Sequence, residues 1–312
     1  MKVPLLVIAG PTGVGKTAAA VALAGRIPIE VISADSRQVY RGMDAATGKP
    51  TAAQRAAVTH HLIDVADPDD RYHAERFRAD ARAVIPAIRA RGHLPVVVGG
   101  TGLYVRALLR GLDPGVPADP AFRREMEAVI EHEGRTALHE RLAVAAPAVA
   151  QRLHPNDHVR VVRALELARA GRLAAGPPED LWRPSEEFDV LHVGLTMERR
   201  ALARALRERA VAMVAAGVLD EVRTLLARGY DPTLPALMGI GYREFVRVAR
   251  GEIRADEALA LMQRETVRYA KRQWTWLARE PGIEWVDVAL AGGPEAVATL
   301  VERRLGTGGL IG

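Results

Sequence analysis

The chain has 312 residues, a net charge of +5, 49% hydrophobic and 26% charged residues and no cysteine. Such a length buries a sizeable core, and no apolar run reaches the roughly eighteen residues that a membrane span needs, so a soluble, cytoplasmic protein is expected. The missing cysteines exclude disulfides, thiolate nucleophiles and cysteine zinc sites.

In chain order, residues 3–10 (VPLLVIAG) form a short apolar run with the character of a buried parallel strand. It leads into Gly10, Pro11, Thr12, Gly13, Val14, Gly15, Lys16 and Thr17, which match G-x-x-x-x-G-K-[ST]. The alanine-rich stretch that follows has helical spacing. In that strand, loop and helix context, glycines let backbone N–H groups wrap an anion, the helix N-terminus points at it, and Lys16 adds a fixed positive charge. Thr17 can hold a magnesium ion between two phosphates. A second strand ends in Asp35 and Ser36, a helix is predicted over residues 73–93, and residues 94–111 read as strand, glycine turn and helix. This alternation predicts an α/β fold, a P-loop parallel sheet with helices on both faces. The loop, Asp35 and the turn at Thr101 should then meet beyond the carboxyl ends of the strands.

From residue 113 the pattern turns to Pro-punctuated amphipathic helices, and residues 113–185 are expected to form a helical insertion in a core of 1–112 and 186–312. Residues 188–195 resume as a strand, and the remainder reads as helical. The basic excess lies in the first third, with the phosphate loop, which suits an anionic partner there. Only Lys2, Lys16, Lys49 and Lys271 write a positive charge as lysine, marking places where a compact charge is wanted over a planar fork. His60 and His61 are adjacent in an extended segment, so they point to opposite faces and read as structural histidines.

A nucleotide hydrolase would need a second acid closing an apolar strand to hold magnesium. The strand over 94–99 ends instead in glycines and a threonine. The stretch DSRQVYR, from Asp35 to Arg41, offers a carboxylate, a hydroxyl, an amide, a phenol and two guanidiniums, which suits a planar hydrogen-bonding substrate, with Asp35 placed to take a proton. A small-molecule kinase, a prenyltransferase on free adenine nucleotides and a noncatalytic binding module remain open on these residues.

Together, GPTGVGKT, SADSRQVYRGMDAATGKPT, HHLIDVADPDDRYHAERFRADA, LPVVVGGTGLYVRALLRGL, PNDHVRVVRALE, GIGYREF and YAKRQWTW resemble the bacterial tRNA dimethylallyltransferases, also called tRNA delta-2-isopentenylpyrophosphate transferases. The likeness runs in order along almost the whole chain. It implies transfer of a dimethylallyl group from dimethylallyl diphosphate to N6 of the adenosine just 3′ of the anticodon, with the base extruded into the crevice and held in a tunnel entered by the prenyl donor from the other end. By this resemblance the loop and Arg209 bind the diphosphate, magnesium sits at Thr17, Asp35 is the general base, and Thr101 contacts substrate near the reacting centre. Residues implied to contact the tRNA anticodon stem-loop are Asp35, Ser36, Arg37 and Gln38, then Thr101 and Arg123, then Val159, Arg160, Val161, Val162 and Arg163, and finally Met238, Gly239, Ile240, Gly241, Tyr242 and Arg243. In this chain Met238 and Val159 stand where many relatives carry glutamine. A monomer is expected.

Overall fold

The computed structural model describes residues 2–112, 119–134, 136–172 and 186–310. Two compact units result, Met1–Gly111 with Pro184–Gly312, and Leu112–Arg183. The expected boundaries at 113 and 185 lie outside the described residues.

The first unit is built on six strands, β1 (Val3–Ala9), β2 (Ile29–Ala34), β3 (His60–His61), β4 (Leu94–Gly99), β5 (Phe188–Thr196) and β6 (Ile283–Asp287). They form one parallel sheet in the order β3-β2-β4-β1-β5-β6. The near-continuous apolar strands follow from burial on both faces. One face, with Leu6, Ile8, Val96, Val98, Val193 and Leu195, packs against residues of α1 (Lys16–Ala24), such as Leu23. Next in the chain come α2 (Ala52–Ala57), α3 (Ala74–Ala90) and α4 (Gly102–Arg110). Helices α3 and α4 pair with each other and with β4, bringing Phe77 and Tyr104 into a stack with ring centroids 4.6 Å apart.

The second unit holds α5 (Pro120–Glu133), α6 (Ala137–Ala145), α7 (Pro147–Ala150) and α8 (His158–Arg169) around a small core that includes Met126, Leu138, Leu142, Val161 and Leu165. Back in the first unit follow α9 (Arg199–Ala215), α10 (Val218–Ala227), α11 (Tyr242–Ala249), α12 (Ala255–Leu277), α13 (Val288–Ala291) and α14 (Pro294–Thr307). Helix α14 joins α1 on the first face through Val297 and Val301. The remainder is therefore not all helical. Strand β6 escapes the periodicity reading because it has five residues, two of them acidic, and owes its extended form to pairing with β5.

Register places the site. Ala9 pairs with Gly99, and Ala34 pairs with the same Gly99, so β1, β4 and β2 end level. Gly10, Gly100 and Asp35 are consequently the first residues beyond one edge. The chain leaves β1 towards β2 but leaves β4 towards β5, and such a reversal between neighbouring strands opens a crevice for a ligand.

Candidate active site

Gly15 caps α1 at φ +100°, a backbone that side chains other than glycine rarely adopt, and the first turn of α1 carries no acid. The helix N-terminus is therefore free to face an anion. Lys16 Nζ donates to the carbonyls of Gly10 at 3.0 Å and Pro11 at 2.8 Å. Burial pulls the Lys16 ammonium down to about 8, with Asp35 opposing and Arg209 adding to the fall. Burial also lowers Arg209, whose Nη1 lies 3.5 Å from Thr12 Oγ1. Neither cation has a carboxylate within ion-pair distance among the described residues, Asp35 acting on both from farther away. Lys16 and Arg209 thus set two partly buried positive charges beside the loop.

Asp35 ends β2 in a tight turn. Its Oδ1 accepts from the N–H groups of Arg37 at 2.8 Å and Gln38 at 3.4 Å, which fixes the carboxylate and leaves Oδ2 without a hydrogen-bond partner among the described residues. The Ser36 N–H donates to Thr101 Oγ1 at 3.1 Å, tying the turn to the end of β4. Arg37 Nη1 reaches the carbonyl of Pro235 at 2.6 Å, which anchors the segment carrying Met238, Gly239, Ile240 and Gly241. Gln38 takes the Ser33 hydroxyl at 2.9 Å and donates to the Gly48 carbonyl at 3.0 Å.

Two cavities open from this junction. One, of about 370 Å³, is lined by Gly13, Gly15, Lys16, Thr17, Gln38 and His60 among others. The second, of about 280 Å³, has an apolar wall of Leu206, Ala210, Met213, Met238, Ile240 and Met262, with Ser36, Arg37, Arg243, Tyr269 and Arg272 as its polar members. Thr12, Asp35, Thr47 and Arg209 line both. The loop, Asp35 and Arg209 thus converge as the sequence implied.

Other candidates are placed differently. Val14 belongs to the core, and Gly10 and Pro11 present carbonyls to Lys16. Tyr242 is 1% exposed, and its hydroxyl donates to Glu221, so its side chain is packed inside. In the insertion, Val161 is fully buried and Val162 packs on the same core, whereas Val159 is exposed. Arg123 grips Glu166 with Nε at 2.7 Å and Nη2 at 3.0 Å, and Arg163 Nη1 adds a contact at 3.0 Å. Burial opposes ionisation of Glu166, but the two guanidiniums win and hold it at about 2. Arg160 stands 3.4 Å from Asp157 and is exposed. Arg243 is engaged by Glu244 at 2.5 Å and Glu265 at 3.2 Å.

The remaining lysine and histidine readings resolve into structure. Lys49, 4% exposed, donates to the Tyr40 carbonyl at 2.6 Å, Asp44 at 2.6 Å and Asp64 at 2.5 Å, a three-way fan that an ammonium makes and a planar fork does not. His61 pairs with Glu30 at 2.6 Å and His60 with the Val58 carbonyl at 2.8 Å. No group of three or more metal-ligating side chains occurs among the described residues.

Helix α12 supplies what the sequence reading missed. Gln273, 6% exposed, accepts the Thr12 N–H at 2.8 Å and donates to the Gly100 carbonyl at 3.0 Å. One turn earlier, Tyr269 lies beside Thr101, and burial with Asp35 nearby raises its phenol to about 12. Any Cβ at Gly100 would collide with Gln273 and come within 3.0 Å of the Gly10 carbonyl, so glycine there admits α12 to the turn. The signal was the spacing of Tyr269, Gln273 and Trp276 on one face of the helix.

A parallel sheet with an anion loop after β1, a fixed carboxylate after β2 and a glycine turn after β4 defines a P-loop protein whose site joins an anion pocket to a second, partly apolar one. The chain belongs to the IPP transferase family, whose model matches residues 38–280, and an isopentenyl transferase model matches residues 2–65. It is 47% identical to the tRNA dimethylallyltransferase of Anaeromyxobacter dehalogenans strain 2CP-C, over 96% of this chain and 99% of that protein. Among solved structures, the full-length tRNA isopentenylpyrophosphate transferase of Bacillus halodurans aligns with a TM-score of 0.72 and 38% identity, covering 99% of this chain and 98% of that one. A eukaryotic dimethylallyltransferase acting on tRNA aligns with a TM-score of 0.72 and 28% identity over 92% and 74% of the two chains.

Proposed function

We propose that this chain transfers the dimethylallyl group of dimethylallyl diphosphate to N6 of the adenosine immediately 3′ of the anticodon in tRNA. The observation that carries the reading is the junction where Asp35 and Arg209 line both cavities, so that an anionic leaving group on the loop and a nucleophile at Asp35 share one boundary.

The diphosphate lies on the loop amides between Lys16 and Arg209. As the allylic C–O bond breaks, its electron pair leaves with the diphosphate, and these two cations stabilise the growing charge in surroundings too dry to screen it. The extruded adenine enters the second cavity, where the apolar wall excludes water. N6 attacks the allylic carbon, and Asp35 Oδ2 takes the proton that N6 releases, its partner oxygen held by the two backbone N–H groups. Thr101 lines neither cavity; through its hydrogen bond from the Ser36 N–H it holds the turn that carries Asp35.

Magnesium suits the loop. Thr17 lines the anion cavity and its hydroxyl makes no hydrogen bond among the described residues, and magnesium favours one or two protein oxygens with phosphate and water completing the shell. Bound there, it would add Lewis-acid stabilisation to the diphosphate. Among the described residues no helix is long and apolar enough to cross a membrane, and we read the protein as a cytoplasmic monomer.

The test is transfer of label from dimethylallyl diphosphate to unmodified tRNA with adenosine 3′ of the anticodon, beside free AMP and beside ATP alone, with wild type and Asp35→Ala. Labelled tRNA that disappears with Asp35→Ala supports the reading. Label on AMP only, or ATP turnover without prenyl transfer, overturns it.

A further inference from the structure

We propose that Gln273 is a positioning residue for the transfer, holding the anion loop and the Gly100–Thr101 turn at the separation the reaction needs; this rests on the function proposed above. Its carboxamide is the one side chain among the described residues that hydrogen-bonds both turns, through Thr12 N–H at 2.8 Å and the Gly100 carbonyl at 3.0 Å. The first turn holds the leaving group, and the second carries Thr101, which accepts the Ser36 N–H and so ties it to the turn that presents Asp35. The carboxamide spans 261 residues of chain to one partner and 173 to the other, so no local structure substitutes for it.

Several features make the bridge more than a buried amide that has found partners. The turn is shaped to admit it, because a Cβ at Gly100 would strike Gln273. The same face of α12 carries Tyr269 onto Thr101 and Trp276 against Gly102, so three side chains at four- and three-residue spacing seat the helix on one turn. By accepting the Thr12 N–H, Gln273 also removes that amide from the set facing the anion and fixes where the loop begins. Thr12 in turn lines both cavities and approaches Arg209. Because neither end of Gln273 touches a substrate, its effect should fall on alignment, to which reaction rates are steeply sensitive.

The experiment compares wild type with Gln273→Met, of similar length but without hydrogen bonds, and Gln273→Glu, measuring kcat and KM for both substrates well below each protein's Tm, with hydrogen exchange of the loop peptide. The expected result for Gln273→Met is a kcat loss of about 30-fold, with both KM values within about threefold and faster exchange of the loop amides. Gln273→Glu can donate to the Gly100 carbonyl only as the neutral acid. Its kcat relative to wild type should therefore recover as pH is lowered from about 8 to about 6, burial having raised the carboxyl into that range. An active wild type with unchanged kcat in Gln273→Met, or a lowered Tm as the only effect, overturns the proposal alone. A wild type that transfers nothing to tRNA overturns the functional reading and this proposal with it.

Discussion

Arg209 on α9 and Arg163 on α8 are both guanidiniums on amphipathic helices, and their surroundings differ in kind. Arg209 is half-buried beside the loop, lowered by that partial burial, and paired with no carboxylate within ion-pair distance among the described residues. Arg163 shares Glu166 with Arg123, and that carboxylate is itself 2% exposed. An unpaired, partly desolvated cation costs stability. At the loop of the core unit Lys16 and Arg209 stand without a carboxylate partner, whereas in the insertion Arg123 and Arg163 are engaged on Glu166 beside a small apolar core.

The sharpest way to break this contrast is Arg209→Gln. Removing a cation that acts on the leaving group should lower kcat by about 100- to 1000-fold, while Tm holds or rises because a desolvated charge has gone. Steady-state kinetics beside thermal unfolding reads both, and a large fall in Tm would show that Arg209 belongs to the structure, as Arg163 does.

The reverse pattern is expected in the insertion. Glu166→Gln leaves two guanidiniums without a carboxylate and should cost about 3 kcal/mol of stability, measured by chemical unfolding and by proteolysis within residues 119–172, with kcat at saturating tRNA within about threefold. The pH dependence has a definite direction. The Glu166 carboxyl is held at about 2, below its ordinary 4.5, so its contribution is fully present above pH 4.5 and is lost as pH falls from there towards 2. Wild type should lose insertion stability across that window, and Glu166→Gln should not.

Much of this division was legible in the sequence, and the limits follow from what local patterns encode. The loop is contiguous, Asp35 closes an apolar strand, and alternation of strands with helices puts both at one sheet edge. Such features carry their partners within a few residues. Gln273 does not, because its two partners lie far away in the chain: helical spacing sets it on one face with Tyr269 and Trp276 but does not say what that face meets. Resemblance implies Arg123 and Arg163 as tRNA contacts, and nothing local in the chain reveals that the two, from different helices, meet on Glu166.

The available charge in the core can also be titrated. Lys16 sits at about 8 in the free protein, and a diphosphate anion on the loop should raise it towards its ordinary 10.5. Binding of inorganic diphosphate should then take up a proton as pH rises through 8, and the Lys16-dependent affinity should be full below 8 and decline above it by at most about tenfold per pH unit. Calorimetry in buffers of different ionisation enthalpy measures the uptake, and Lys16→Met supplies the baseline. Uptake equal in the two proteins would mean that Lys16 is already held charged by its carbonyl partners.

The smallest effect separates Arg160 from its neighbours. Its side chain is 62% exposed and only 3.4 Å from a half-buried Asp157, a geometry that contributes under about 1 kcal/mol at a surface. Arg160→Ala should therefore leave Tm within error. If Arg160 serves RNA, the substitution should weaken tRNA binding a few-fold for all sequences alike and reduce the slope of log affinity against log salt by about one, the signature of one lost phosphate contact. Arg163→Ala should instead act through Glu166 and lower stability before it changes the salt slope. A salt slope that moves equally in both would mean that the Arg163 guanidinium leaves Glu166 when RNA binds, and that the insertion's charge is reserve as well as scaffold.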